Sequence, residues 1–149
     1  MEKWALALEG GSLRCMFSAG AVDVMMEHGL WSDGVFGVSA GALTGVNYIS
    51  RQTGRTAQVN LDYVNDKRYL GLGNLLFKKS IFNFDFLFGE ICDKLVPLDR
   101  ETFAQSPVEF TAVCTNCRTG QPVYAEKHAC GDIYGAIRAS ASLPLLAPT

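Results

Sequence analysis

An apolar run, a glycine turn and a helical pattern follow one another at the start of the chain. Residues 4–8 are mostly apolar and the run ends before Gly10 and Gly11, which predicts a buried first strand closed by a tight turn. Apolar side chains then recur at helical spacing over residues 17–28, at Phe17, Ala21, Val24 and Met25. Gly29 suits the left-handed residue that ends many helices, so we predict that this helix stops there.

The next two segments repeat the order of strand and helix. Residues 35–38 read as a second buried strand, and residues 40–49 continue as small and apolar side chains that pack as a helix directly after it. A strand-helix-strand-helix unit within one domain implies a parallel pair of strands. The hydrophobic pattern therefore predicts an α/β domain.

The middle of the chain has less regular periodicity. Residues 56–65 predict a short helix. Residues 69–88 are rich in leucine and hold five of the nine phenylalanines without a clean repeat. Aromatic side chains usually signal packing, so we interpret this segment as a cap over the sheet. An acyl-chain-binding or membrane-facing surface remains the alternative, and one segment can serve both purposes.

The last third predicts a hairpin and a helix. Residues 108–115 read as a strand, a turn follows at Thr119 and Gly120, and a second strand runs through Val123 and Tyr124. Residues 132–141 then predict a helix with one apolar face, which is broken at Ser142-Leu143-Pro144. No repeat or linker interrupts the pattern, so we expect a single domain over residues 1–149.

Composition and charge indicate a globular domain and argue against nucleic-acid binding. The chain has 149 residues, of which 48% are hydrophobic and 19% charged, which is typical of one soluble globular domain. Its formal net charge is -2, and no stripe of lysine and arginine with interleaved aromatics is present. We therefore predict no nucleic-acid partner.

The N-terminal segment and the longest uncharged stretch bear on where in the cell the protein is expected. An acidic residue at position 9 follows the first apolar run too closely for a secretory signal, which predicts a cytoplasmic protein. The longest uncharged run, residues 34–50, is shorter than the roughly 18 residues that suggest a spanning helix and is rich in glycine. Any membrane contact is therefore expected to be peripheral.

Five cysteines raise the question of disulfides or a metal. They form an odd set in a chain that is expected to be intracellular, so we interpret them as thiols; they are Cys15, Cys92, Cys114, Cys117 and Cys130. The Cys-x-x-Cys pair at Cys114 and Cys117, with the later His128 and Cys130, can be drawn as a zinc site, but the His-x-Cys half lacks the usual spacing. We predict no metal.

Ser39 lies in the pentapeptide Gly37-Val38-Ser39-Ala40-Gly41, between the second predicted strand and the helix after it. A nucleophile displayed on such a turn has a strained backbone, and side chains at the flanking positions would collide with neighbouring elements. The glycines therefore fit the chemistry, and Ser39 is the candidate nucleophile. The Gly10-Gly11 turn upstream is the candidate source of backbone amides for an oxyanion.

Three landmarks in order resemble the patatin-like phospholipases. They are Gly10-Gly11-Ser12-Leu13-Arg14-Cys15, the pentapeptide around Ser39, and Ala139-Ser140-Ala141-Ser142-Leu143-Pro144, and they are spread over nearly the whole length of the chain. The resemblance implies a three-layer α/β/α domain with a central, mostly parallel sheet. It also implies hydrolysis of lipid or other carboxylic esters by a Ser-Asp dyad, without a metal or organic cofactor.

Residue by residue, the resemblance makes Ser39 the nucleophile and assigns the oxyanion to the backbone amides of Gly10, Gly11 and Ser12. Loss of one such donor typically costs about a hundredfold in rate. Arg14 matches the family's basic position, where it either orients a substrate phosphate or braces the loop. Ser12 and Cys15 stand where the family usually has glycine, and a non-glycine residue at positive φ costs on the order of 1 kcal/mol.

The dyad aspartate is not matched. In the family it lies in an Asp-Gly-Gly or Asp-Gly-Ala step shortly after the segment that Ser140 to Pro144 resemble, whereas the only Asp-Gly step here is Asp33-Gly34, before the elbow. We therefore expect the sequence to be the N-terminal portion of a longer domain. An incomplete sheet would leave an open edge, through which we expect association into a homo-oligomer.

Three alternatives stay open beside the esterase. A catalytically silent relative would keep the fold as a lipid- or partner-binding module. A Ser-His-Asp triad would use His128 as its base, although a histidine near a turn is more often a surface residue. A phosphate-binding domain built on the Gly10-Gly11 turn is the weakest, because a P-loop needs Lys-Ser/Thr after its last glycine.

Overall fold

The structure, a computed structural model, describes residues 3–69 and 82–143. Its centre is a sheet of four strands in the order β1-β2-β3-β4. The strands are β1 (Ala5–Leu8), β2 (Gly34–Val38), β3 (Glu109–Thr115) and β4 (Pro122–Glu126). The first three are parallel, and β4 forms the antiparallel hairpin partner of β3. The predicted α/β fold with a mostly parallel sheet is therefore confirmed.

The described residues form five α-helices: α1 (Cys15–Glu27), α2 (Ala40–Ile49), α3 (Arg55–Tyr63), α4 (Arg100–Gln105) and α5 (Ile133–Ala141). A 3-10 turn spans Ser12–Arg14, and a π-helix spans Phe86–Leu95. The sequence predicted α1, α2, α3 and α5. It did not predict α4 or the π-helix.

The ends of α1 agree with the sequence, but its buried face does not. Gly29 has a φ of 65° directly after His28, which is the predicted left-handed stop. The residues that face the core are Ala19, Val22 and Met26. The apolar set chosen from the spacing includes Phe17, Ala21 and Val24, all of which are exposed. Because α1 is apolar on two sides, periodicity alone does not show which side packs against the core.

The helices that contact the sheet lie on one of its faces. The parallel strands follow one another in sequence order, and right-handed crossovers in one direction place every connecting helix on the same side. That face carries Leu8, Val35 and Phe110, which form one core with α1, α2, α4 and α5. The approach of α2 is close, because a Cβ at Gly45 would lie 2.9 Å from Val35 Cγ1.

The opposite face of the sheet is largely exposed in the described residues. The sheet register aligns Val38 with Val113 and Val113 with Tyr124 on that face. The exposed fractions are 44% for Phe36, 40% for Val38 and 60% for Tyr124. Residues 3–69 and 82–143 thus supply two of the three layers that the family resemblance implies.

A second apolar cluster covers the C-terminal end of the sheet. Of the segment interpreted as a cap, residues 70–81 lie outside the described residues. The remainder contributes Phe84, Phe86 and Leu87, which are buried with Val59 of α3 and Ile91 of the π-helix. Aromatic edge contacts join this cluster, including Phe84 with Phe88 at 5.8 Å between ring centroids. These side chains do pack, as predicted for a cap.

Candidate active site

Ser39 occupies the sharp turn between β2 and α2. Its φ of 54° and ψ of -122° are far from helical values, although α2 begins at the next residue. Only Ser12, Ser39 and Arg51 combine a side chain with positive φ among the non-glycine residues that the structure describes. Such strain persists only where the surrounding structure enforces it, and it concentrates at functional sites. The predicted elbow is therefore present in the backbone itself.

The two glycines that flank Ser39 are required by close packing of the backbone. A Cβ at Gly37 would lie 2.5 Å from Ala42 Cα. A Cβ at Gly41 would collide with the carbonyl oxygen of Leu8 and lie 2.6 Å from that of Glu9. The start of α2 thus rests directly on the end of β1, and this contact holds the elbow against the glycine-rich loop.

The glycine-rich loop approaches Ser39 from the end of β1. A Cβ at Gly10 would lie 3.1 Å from Ser39 Cβ, so the loop passes within contact distance of the candidate nucleophile. Ser12 has a φ of 51°, which explains why glycine suits this position. Cys15 has a φ of -58° and is buried at the start of α1, so it needs no glycine backbone.

The backbone amides of this loop are candidate donors to a ligand. Among the residues that the structure describes, none accepts a hydrogen bond from the backbone N–H of Gly10, Gly11 or Ser12. Arg14 N–H donates to the carbonyl of Gly11 at 3.0 Å and closes the turn. The Arg14 side chain lies along Gly11 at the mouth of the cavity described below. This position is compatible with either role that the sequence left open for Arg14.

Ser140, near the end of α5, supports the elbow from behind. Its hydroxyl accepts a hydrogen bond from the Ser39 backbone N–H at 2.8 Å and donates one to the Val113 carbonyl at 2.6 Å. One side chain therefore links α5, β3 and the candidate nucleophile. Sequence reasoning missed this function, and its one signal was the place of Ser140 in the third landmark.

Replacing Ser140 with alanine is expected to lower the rate of covalent labelling of Ser39 by about tenfold, because the elbow loses the acceptor that fixes its N–H. The unpaired N–H and carbonyl should also lower the free energy of unfolding by about 1–2 kcal/mol. Labelling kinetics with a fluorophosphonate and urea denaturation measure the two effects.

The matched control is Ser142→Ala, since within residues 3–69 and 82–143 the Ser142 hydroxyl donates only to the Arg138 carbonyl of the preceding helix α5, at 2.8 Å. We expect this variant to label within about twofold of the unchanged protein. Equal labelling rates for the Ser140 and Ser142 variants would contradict the supporting role of Ser140.

A cavity of about 480 Å³ opens beside Ser39. Ser39 and the glycine-rich loop form one part of its wall. The rest is predominantly apolar and comes from α2, α3, the π-helix, α5 and the segment between α3 and the π-helix. Examples are Val46, Val59, Tyr69, Phe84, Leu87 and Ile137. Its volume lies within the range of about 300–1,000 Å³ that is usual for small-molecule sites. An apolar cavity that ends at a nucleophile suits a substrate with a long apolar part.

A buried arginine braces one wall of the cavity. Arg55, at the start of α3, is 8% exposed and bonds to Asn47 Oδ1 at 2.8 Å and to the Val96 carbonyl at 2.6 Å. Asn47 in turn donates to Thr56 Oγ1 at 2.7 Å. These bonds tie α2 and α3 to the end of the π-helix, so neutral acceptors compensate much of the desolvation of the guanidinium. Sequence reasoning missed this network as well.

No described residue stands ready as a general base for Ser39. Among the described residues, no aspartate, glutamate or histidine lines the cavity, and none accepts a hydrogen bond from Ser39 Oγ. Burial raises the pKa of Tyr69 to about 12 and also raises the pKa of the Cys15 thiol. Both side chains are therefore protonated at neutral pH.

The triad hypothesis for His128 is wrong, because the histidine lies at the other end of the sheet. His128 is exposed in the turn after β4, next to Lys127, whose N–H bonds to the Phe110 carbonyl near the start of β3. Ser39 follows Val38, which pairs with Val113 towards the end of β3. The second histidine, His28, caps α1 with Nδ1 at 2.9 Å from the Val24 carbonyl.

The four residues that could be drawn as a zinc site are spread over the hairpin and the loop after it. Cys114 directs its thiol to the Ala136 carbonyl at 3.3 Å, and Cys117 is exposed in the hairpin turn. Over residues 3–69 and 82–143, no group of three or more histidine, cysteine or acidic residues is arranged to hold a metal ion. In the same part of the chain, no helix has the length and apolar character needed to cross a membrane.

Comparison with known proteins agrees with the geometry of the site. The sequence model of the Patatin family, described as patatin-like phospholipase, matches residues 6–149. No curated protein matches the chain. The matched range includes the glycine-rich loop, the elbow at Ser39 and the segment around Ser140.

Proposed function

The chain belongs to the patatin-like phospholipase family, and we propose that it is a serine hydrolase that cleaves carboxylic ester bonds of lipids, with Ser39 as the nucleophile. Membership implies a hydrolase of lipid metabolism. The observation that carries the finer proposal is the strained elbow. Ser39 is held at positive φ at the wall of an apolar cavity, within contact distance of a loop whose amides have no acceptor among the described residues.

The proposed reaction has two halves. Ser39 Oγ attacks the carbonyl carbon of the ester, and the negative charge that develops on the carbonyl oxygen is received by the N–H groups of Gly10, Gly11 and Ser12. The C–O bond to the alcohol then breaks, the alcohol leaves with a proton, and Ser39 remains acylated. Water attacks the acyl-enzyme, releases the carboxylic acid and returns the proton to Ser39.

The base that accepts the Ser39 proton is proposed to be the aspartate of a Ser-Asp dyad. No described residue fills this place. Hydrolysis needs only water as co-reactant, so the proposal includes no metal and no organic cofactor.

The cavity is proposed to bind the acyl chain. Each methylene that moves from water into apolar surroundings contributes about 0.8 kcal/mol, and the wall around Phe84, Leu87 and Ile137 supplies such surroundings. Arg14 lies at the mouth, where a phosphate of the head group would meet its guanidinium. The acyl chain and the head group would thus lie on opposite sides of the elbow.

A second candidate is a catalytically silent lipid-binding module with the same fold. The observation that favours it is the described cavity wall, which includes neither a carboxylate nor an imidazole beside Ser39. In this case the cavity would bind lipid without turnover.

Covalent labelling separates the two candidates. The folded protein, in a form that includes the proposed dyad aspartate, would be treated with a fluorophosphonate probe, and the modified residue located by peptide mass spectrometry. We expect rapid labelling confined to Ser39, together with release of nitrophenol from a medium-chain nitrophenyl ester. Protein unfolded in guanidinium is the control and should not label. A folded chain that neither labels nor turns over the ester would support the silent module instead.

A further inference from the structure

Helix α1 presents an uncharged apolar stripe to solvent. We define the α1 stripe as Leu13, in the 3-10 turn that leads into α1, together with Phe17, Ala21 and Val24 of α1. The three helical residues recur at intervals of four and three and so share one side of the helix. The exposed fractions are 39% for Leu13, 87% for Phe17 and 54% for Val24. Single exposed apolar residues are normal, whereas an aligned row is a candidate interaction surface.

The stripe is not needed to hold α1 in place. The opposite side of the helix is buried, through Ala19 and through Val22 and Met26, which belong to the core. Asp23, between these two sides, accepts a hydrogen bond from the Gly54 N–H at 3.0 Å and fixes α1 to the start of α3. Phe17 therefore contributes little to folding, so its apolar side chain needs an explanation other than packing.

The stripe is continuous with the mouth of the cavity. Leu13 belongs to both, because it lines the cavity and is also partly exposed. Arg14 lies beside it, and Leu143, which is 48% exposed, lines the cavity as well. A surface that contacted Phe17 would therefore lie against the opening that leads to Ser39.

We propose that the α1 stripe docks on the surface of a lipid aggregate, so that acyl chains pass from the aggregate into the cavity without crossing water. The proposal rests on the proposed function, since it gives the esterase a bilayer or micelle as the source of its substrate. The stripe carries no charge and the chain has a net charge of -2. Zwitterionic lipid is therefore the expected surface, and anionic lipid is not required.

Binding is tested without turnover in a Ser39→Ala background, by sedimentation with phosphatidylcholine vesicles. Adding Phe17→Ser and Val24→Ser should lower the partition coefficient at least about tenfold, because burial of these side chains is lost. The matched control is Leu30→Ser. Leu30 is 54% exposed, as Val24 is, but it precedes β2 and lies at the end of the sheet opposite Ser39.

Turnover separates docking from the proposed esterase. With Ser39 intact, the Phe17→Ser/Val24→Ser variant should hydrolyse a soluble short-chain ester at the unchanged rate and lose most of its activity on vesicles. If the soluble ester is not hydrolysed while vesicle binding still depends on Phe17, the esterase proposal fails and docking stands.

Two results would overturn docking. The first is equal vesicle binding by the Phe17→Ser/Val24→Ser and Leu30→Ser variants. The same conclusion would follow if none of the variants bound vesicles. The second is a dimer in sedimentation velocity that the Phe17→Ser substitution converts to a monomer, because the stripe would then be an interface between two copies of this chain.

Discussion

Replacing Ser39 with alanine is expected to lower the kcat for ester hydrolysis by at least about 10⁴-fold and to abolish fluorophosphonate labelling. The reason is chemical, because the proposed reaction passes through an ester of Ser39 Oγ and no other group would take that place. Steady-state hydrolysis of a medium-chain nitrophenyl ester, and mass spectrometry of the probe-treated protein, measure the two effects.

The fold should tolerate this change. Alanine at position 39 meets the same positive φ as serine, and in the described residues Ser39 Oγ has no hydrogen-bond partner to lose. The backbone bond from Ser39 N–H to Ser140 is kept. Thermal and urea unfolding are therefore expected to differ little from those of the unchanged protein, so a loss of activity would report on chemistry.

Ser12→Ala is the matched control, because Ser12 is also a serine at positive φ on the same site. Its backbone N–H, which is the proposed oxyanion donor, survives the substitution, so hydrolysis should stay within about tenfold. Residual labelling at another residue in the Ser39→Ala protein, with hydrolysis retained, would show that Ser39 is not the nucleophile.

The elbow and the glycine-rich loop were predictable because local backbone chemistry specifies them. Gly37 and Gly41 flank a serine where a strand turns into a helix, and the structure shows a backbone collision for a side chain at either position. Gly29 likewise predicted the end of α1, where the structure gives it a positive φ. Gly37 is constrained by Ala42, which is close in sequence, and Gly29 by its own dihedral angles. Gly41 is constrained instead by the distant carbonyls of Leu8 and Glu9, and only its place in the pentapeptide around Ser39 marked it in the sequence.

What the sequence did not reveal depends on contacts between distant segments. Ser140 reaches Ser39 across 101 positions, so no local pattern marks its hydroxyl as the support of the elbow. Arg55 reads as an ordinary charged residue until α2 and the end of the π-helix enclose it. A helix with two apolar sides, such as α1, takes its orientation from strand order and crossover handedness, which periodicity does not record.

Replacing Gly41 with alanine is expected to lower the free energy of unfolding by about 3 kcal/mol and the labelling rate of Ser39 by about a hundredfold. The added Cβ would collide with the carbonyl oxygen of Leu8 and crowd that of Glu9. Both are backbone atoms at the end of β1, so they cannot swing aside as a flexible side chain would. Relief requires the start of α2 to move away from β1, and Ser39 moves with it.

Gly20→Ala tests whether the effect comes from the contact or from the loss of a glycine. A Cβ at Gly20, inside α1, would have no heavy atom within 4 Å. Alanine should therefore raise the free energy of unfolding by about 0.5–1 kcal/mol through its helix propensity. Urea denaturation should therefore show that the free energy of unfolding falls in Gly41→Ala and rises in Gly20→Ala. A Gly41→Ala protein with unchanged stability and unchanged labelling would mean that the elbow does not rest on β1 as described.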